Sequence, residues 1–249
     1  MTADRWTEAV RTQLGLGRLL PLGGPQDGAW LAEPAAAQAL RRAVQGLSGV
    51  RLGALRLGLA DPDTAAEPAV PAPPSALPAG PLRLTAECAA TADEPLPVAA
   101  DRLREALAGA AEWVGLVVSE VDLQVTALLD EADRVADADG DRDTGSLEEP
   151  PGPGDSKPAS SGDAGRAAEA ALAVPGVARL TGALGGLGRA VHIEERAGEG
   201  ALPRRHVRVE VAVAVGVRPI EVTGAVRRAV AKALPDGPTV AVLVTEITA

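Results

Sequence analysis

The stretch Arg205–Leu234, RHVRVEVAVAVGVRPIEVTGAVRRAVAKAL, decides the fold of this chain. Val207, Val209, Val211, Val213 and Val215 recur at every second position, the signature of a strand with one buried face. Gly216 ends that run. Pro219 opens a helix, where its fixed φ and missing N–H suit the first turn. Val222, Val226, Ala229, Val230 and Ala233 form one apolar stripe along it. Pro235-Asp236-Gly237-Pro238 breaks the helix, and TVAVLVTEI (239–247) reads as a closing strand. Upstream, Arg166–Ala173 reads as an Ala-rich helix. Pro175-Gly176 enters a strand in VPGVARLTGAL (174–184), and Ala190–Glu194 reads as a further short strand.

The same order is written once before. LRLTAECAATADEPLPVAADRLREALAGAA (82–111) aligns with 205–234 without a gap. Leu84, Ala86 and Cys88 fall on Val207, Val209 and Val211; Leu103 and Leu107 fall on Val226 and Val230. LSGVRLGALRLGL (47–59) mirrors VPGVARLTGAL, with Gly49-Val50 in place of Gly176-Val177, and LVVSEVDLQVTAL (116–128) mirrors the closing strand. A helix near Ala35–Gln45 precedes this copy. Its only candidate counterpart to Ala190–Glu194 is the end of GALRLGL. The expected fold is α+β: two similar small domains, each a three- to four-stranded sheet with helices packed on one face.

The expected division follows. Residues 1–25 are an N-terminal amphipathic helix and connector. Residues 26–129 are the first copy, with a Pro/Ala-rich insert at 60–81 that predicts an extended, semi-rigid segment. Residues 130–165 are an acidic linker whose low hydrophobicity and many breakers predict disorder. Residues 166–249 are the second copy.

Composition narrows the function. The chain is 46% hydrophobic but has no Phe or Tyr and three Trp, so its core must come from Ala, Val and Leu. These bury less area apiece than aromatic side chains, which favours two compact cores over one large one. The net charge is −10. Asp130–Asp163 carries eleven acids against three bases, a net of −8, so the folded parts are almost neutral. A nucleic-acid binder needs a basic face, and none is present; attraction to anionic lipid is equally weak. The lone Cys88 excludes an internal disulfide and a cysteine zinc cage, and its place in a strand alternation predicts a buried, inert thiol. No uncharged apolar run approaches the roughly 20 residues that span a bilayer. The opening MTADRWTEAVRTQL lacks the apolar core of a secretion signal. A cytoplasmic protein is expected.

Two motifs resemble sites and fail on context. Thr181–Gly188, TGALGGLG, has the glycine spacing of a dinucleotide cradle. Such a cradle needs a long helix directly after the glycines, but Val191 and Ile193 alternate with His192 and Glu194 as in a strand. A glycine-rich turn between two strands is expected. Asp137–Glu148 has acids at the first, third, fifth and twelfth places of a calcium loop, yet Arg142 replaces the required glycine. Gly46–Val50 lacks the last glycine of a nucleophile elbow. His192 and His206 have no spaced partners and are expected at solvent-facing or edge positions. Arg227, Arg228 and Lys232 read as the polar face of their helix. No catalytic residue, cofactor or metal ligand is assigned, and the chain is not expected to be an enzyme.

Partner-binding candidates remain. Trp6, Val10 and Leu14 lie at i, i+4 and i+8 on a short amphipathic helix, which docks either on its own first domain or in the groove of a partner. Arg204 and Arg205, beside His206, form a basic spot, either a solvated strand entry or a partner contact. Trp30 and Trp113 are expected in core or interdomain packing.

At the second copy, AEAALAVPGVARLTG, VHIEE, HVRVEVAVAVGVRPIEVTGAVRRAVAKAL and TVAVLVTEI resemble the alkaline shock protein family of envelope stress response proteins. The resemblance covers about 85 residues, and the first half follows it in degraded form. It implies no enzymatic activity. It implies instead a cytoplasmic protein that self-associates and reaches the membrane peripherally, through a small membrane-anchored protein partner. A tandem could bridge two partners or replace a homodimer. The sequence thus points to a non-catalytic interaction or scaffold protein of the cell envelope. The alternative is a sensor holding a small ligand between the two copies.

Overall fold

A computed structural model of the protein describes residues 16–129, 162–184, 189–198 and 201–248. Trp6, Val10, Leu14 and the calcium-loop-like stretch lie outside the described residues. The elements run β1 (Leu19–Leu22), β2 (Ala29–Ala32), α1 (Glu33–Val44), β3 (Val50–Leu59), β4 (Leu82–Thr91), α2 (Leu96–Val114) and β5 (Val118–Leu129). They continue with α3 (Asp163–Leu172), β6 (Val177–Leu180), β7 (Val191–Gly198), β8 (Ala201–Ala214), α4 (Pro219–Ala233) and β9 (Thr239–Thr248). The fold is α+β, with two sheets and helices packed against them, as the pattern predicted.

The helices follow from their stripes. In α2, Ala99, Leu103, Leu107, Ala111 and Val114 are buried on one face; in α4, Val222, Val226 and Val230 are. Gly115 ends α2 at φ 104, where its N–H reaches back to Ala111 O and Glu112 O. Only glycine enters that left-handed region at little cost.

The two halves share strand order and register. In the first, β3 pairs antiparallel with β4, and β4 pairs parallel with β5. In the second, β6 and β7 pair antiparallel with β8, and β8 pairs parallel with β9. The ladders correspond residue by residue: Leu84↔Val121 matches Val207↔Val240, and Cys88↔Val125 matches Val211↔Val244. Both ladders then slip by one residue at the same place, so that Thr126 and Thr245 are the bulged positions. Thr126 Oγ1 donates to Cys88 O at 3.3 Å and Thr245 Oγ1 to Val211 O at 3.4 Å. Gly49 and Gly176 both have positive φ, and their carbonyls accept from Thr91 N and Ala214 N, each at 2.9 Å. A shared bulge with a shared side-chain bond is hard to reach by hydrophobic patterning alone, because one slipped residue reverses every facing.

The halves differ in what covers them. β1 and β2 form a hairpin, and β2 pairs parallel with β9, giving the order β1-β2-β9-β8-β6 with β7 also on β8. Among the described residues the second sheet therefore has six strands, two of them from the N-terminal half: β1 from the expected connector and β2 from the start of the expected first copy. Among the described residues the first sheet has three, β3-β4-β5. In β4, Leu82, Leu84, Ala86 and Cys88 are buried while Arg83, Thr85 and Glu87 are exposed, as suits a sheet covered on one face. In β9 both phases are buried, with Ala241, Val242, Leu243 and Val244 at 0% exposure.

The expected two compact cores are one connected core. The β1–β2 hairpin and α1 join them: α1 packs on both α2 and β9, and Arg42 Nη1 donates to Ile247 O at 3.3 Å. Arg227, expected to be merely solvated, donates from Nε to Val240 O at 3.1 Å and from Nη1 to Gln26 O at 2.9 Å and to Asp27 O. It ties the hairpin turn to α4 and β9. The insert is packed rather than a free spacer: Leu19 N–H donates to Ser75 O, Leu77 N–H donates to Leu19 O, and Val70 and Ala79 are buried.

Candidate functional site

Glu210 sits in the polar phase of the VRVEVAV alternation, yet it is fully buried. The reason lies in the edge strand beside it. β6 ends at Leu180, opposite Val211, and β7 begins at Val191, opposite Val209. The two strands thus flank one residue, with β6 ending on one side of Glu210 and β7 beginning on the other. Thr181 N–H donates to Glu210 O at 3.0 Å, and Glu210 N–H donates to Ala190 O at 2.8 Å. Residues 185–188 of the glycine-rich TGALGGLG, expected to form a turn between two strands, lie outside the described residues. In the first copy a bulge stands at the matching place, with Gly53 and Ala54 opposite Glu87, the counterpart of Glu210.

The Glu210 side chain points toward Leu184. Its Oε2 accepts from Leu184 N at 2.9 Å. Its Oε1 has no hydrogen-bond partner among the described residues, and stands 3.7 Å from Arg208 Nε and 3.9 Å from His192 Nε2. Arg208 Nε is likewise buried without a partner. Burial pushes the Glu210 carboxyl up to about 7, against the pull of the Leu184 amide and Arg208. Burial first, then the charge of Arg208, hold His192 below its ordinary range.

On the same face, β7 and β8 set His192 directly opposite Arg208 and Glu194 directly opposite His206. Pro71, Ala72, Pro73 and Pro74 of the insert cross above them, leaving a cavity of about 240 Å³ walled by all eight residues. Of the two expected alternatives, solvent-facing or edge, His192 takes the edge: it is half-buried on β7, which pairs with β8 alone among the described residues. His206 is buried and shares a 2.9 Å hydrogen bond with Thr239 Oγ1, while His192 Nε2 donates to Arg189 O at 2.8 Å. The cavity lies between the two halves of the chain. Among the described residues no cluster of three His, Cys, Asp or Glu side chains is arranged to hold a metal ion.

A second feature is the outer edge of β5. Its counterpart β9 is flanked by β2; among the described residues β5 has β4 alone. Val125 and Leu128 are 40% and 59% exposed, where the matching Val244 and Ile247 are 0% and 4%. At the end of β5, Leu129 joins Val44, Leu47 and Val50 in an open groove of about 480 Å³.

Arg204 and Arg205 do not form one patch, because strand alternation sends them to opposite faces. Arg205 Nη2 donates to Asp163 Oδ2 at 2.5 Å, with Asp236 at 3.6 Å, which docks the start of α3 on β8. Arg204 is exposed. Trp30 is buried in β2; Trp113 is 38% exposed, and its carbonyl accepts from Arg218. Cys88 is buried, and burial pushes its thiol up. Sequence reasoning missed Glu194, Arg208 and Glu210. The signal was a carboxylate at matching places in both copies, Glu87 and Glu210, inside an apolar alternation.

No family model, curated protein or solved structure matches the chain. Its functional reading rests on its own geometry. No helix among the described residues is long and apolar enough to cross a membrane.

Proposed function

We propose that this protein acts by binding, not catalysis, and docks an extended segment of a protein partner along the free edge of β5. One observation carries the reading: among the described residues the duplicated ladder is capped by β2 in the second copy and uncapped in the first. An open edge presents a row of backbone donors and acceptors that another strand can pair. Val125 and Leu128 supply apolar contacts at the register where Val244 and Ile247 are covered. A partner strand runs parallel to β5, as β2 runs parallel to β9. The resemblance of residues 166–248 to alkaline shock proteins adds a cytoplasmic scaffold role at the cell envelope, with a small membrane-anchored protein as the partner.

A photo-crosslinking residue at Leu128 tests this in cells. It is expected to capture one predominant protein, and Val125→Lys is expected to reduce that capture at least tenfold. The same crosslinker at Leu172, exposed on the second half, is the control. Identical products from both positions, or capture indifferent to Val125→Lys, would overturn the reading.

A further inference from the structure

Arg208 stands where the fold does not ask for a cation. At the matching position of the first copy the ladder carries Thr85, exposed to water. Two residues before it, Arg83 is 46% exposed and pairs with Glu120 and Asp122. Arg208 is 14% exposed. Its Nε lies 3.7 Å from Glu210 Oε1, beyond hydrogen-bond length, and is buried without a partner. Among the described residues no hydrogen bond reaches its two Nη groups either, and these are not sealed off as Nε is. A largely buried guanidinium in this state costs stability unless something else offsets it. Arg208 also walls the cavity under Pro71–Pro74, so an offsetting group has room to enter.

We propose that this cavity binds a small monocarboxylate, its carboxylate on the Nη groups of Arg208 and its hydrocarbon part against the prolines. Of the eight described residues that wall the cavity, Arg208 alone is a fixed cation. The planar fork of a guanidinium meets a carboxylate with two parallel hydrogen bonds. The insert adds no charge, only Ala72 and the rings of Pro71, Pro73 and Pro74, which suit methylene groups. Glu194 is exposed and has an interaction partner of its own, so it makes no demand on a ligand. A phosphate dianion would bring a second charge with no second fixed cation to meet it, and an amine would face Arg208. The volume of about 240 Å³ sets the size: at about 30 Å³ each, it holds on the order of eight non-hydrogen atoms. Glu210, pushed up to about 7, is mostly protonated at pH 6 and does not compete there for the guanidinium.

The chain has two histidines, and both line the cavity. Histidine-labelled protein therefore gives two imidazole NMR signals, each a reporter of the site. The full chain is titrated at pH 6 and constant ionic strength with butanoate, butylamine and inorganic phosphate. Saturable shifts of both imidazoles are expected with butanoate, at least tenfold tighter than with butylamine or phosphate. Arg208→Gln is expected to weaken butanoate binding tenfold or more, with folding checked by circular dichroism. Ala72→Asp, at an exposed position on the cavity wall, sets a like charge beside the ligand without touching the core. It is expected to weaken binding at least threefold, and it decides the matter should Arg208→Gln fail to fold. Arg228→Gln, exposed on α4, removes the same charge elsewhere and leaves binding unchanged. No saturable shift with butanoate in the folded chain would overturn the proposal. So would butylamine or phosphate binding as tightly, or butanoate binding unaffected by a folded Arg208→Gln or by Ala72→Asp.

Discussion

Glu210 carries the strongest electrostatic consequence of a single residue. Its carboxyl is held at about 7 in the folded chain, against an ordinary 4.5. Between those values the folded state binds more protons than the unfolded one, so stability falls as pH rises through this window. The contribution is fully present below about 4.5 and gone above about 7. At 1.36 kcal/mol per pH unit, the difference is on the order of 3 kcal/mol. Glu210→Gln retains an oxygen for the Leu184 amide and removes the titration. The wild type is expected to lose stability relative to Glu210→Gln between pH 5 and pH 8, read as the gap in denaturant midpoints. A constant gap across that range would remove the buried-carboxyl account. None of this was legible in the sequence. In VRVEVAV, Glu210 occupies the phase that alternation assigns to solvent, as do His206 and Arg208. Pro71–Pro74, more than a hundred positions away, cross above His206 and Arg208, while Leu184 lies against Glu210, and local periodicity carries no information about either cover.

Among the elements, α2 and α4 meet end to end, and the junction depends on a missing side chain. A β-carbon at Gly115 would stand 2.5 Å from Ile220 Cβ, and the residue has φ 104. Gly115→Ala combines a disfavoured backbone with overpacking, for a loss of about 2–4 kcal/mol. Gly109 lies inside the same helix with nothing within 4 Å of an added β-carbon. Gly109→Ala is expected to gain about 0.5–1 kcal/mol. Chemical denaturation of the two variants checks the pair, and equal effects would contradict it. Arg227 holds three carbonyls at the hairpin turn and β9. Arg227→Gln leaves some of them unpaired, for a loss of about 1–3 kcal/mol. Thermal unfolding measures it, and an unchanged melting temperature would mean that the turn is held elsewhere. The elements themselves were legible where a period runs long: α2, α4, β4 and β8 follow their stripes and alternations. The correspondence of Leu55–Leu59 with β7 was only half legible. The glycine-rich break in alternation between Leu180 and Val191 hid the fact that β6 and β7 lie along one edge of β8.

At the scale of the molecule, the duplication is crossed by a hairpin. Leu19–Leu22 and Ala29–Ala32 are too short for periodicity to assign them to a sheet, and nothing local marks β9 as their partner. Yet Leu19, Leu20, Leu22 and Leu31 are fully buried, and β2 covers the edge of β9, where Val242 and Leu243 are also fully buried. The second copy is therefore incomplete on its own. Residues 162–249 expressed alone would present β9 as a long, apolar, unpaired edge, a template for aggregation. The expected outcome is insoluble or poorly folded material. A fragment spanning residues 1–130, supplied in trans, brings β1, β2 and α1 and is expected to restore a soluble complex with native far-ultraviolet circular dichroism. Fusing residues 16–34 ahead of 162–249 through a flexible linker is expected to rescue part of that fold, because it restores the β2–β9 ladder but not α1 on β9. If residues 162–249 fold alone as a stable monomer with cooperative unfolding, the hairpin is an ornament on a self-sufficient domain. The open edge of β5 then loses its meaning as well, since it is read as a docking surface by analogy with the capped edge of β9.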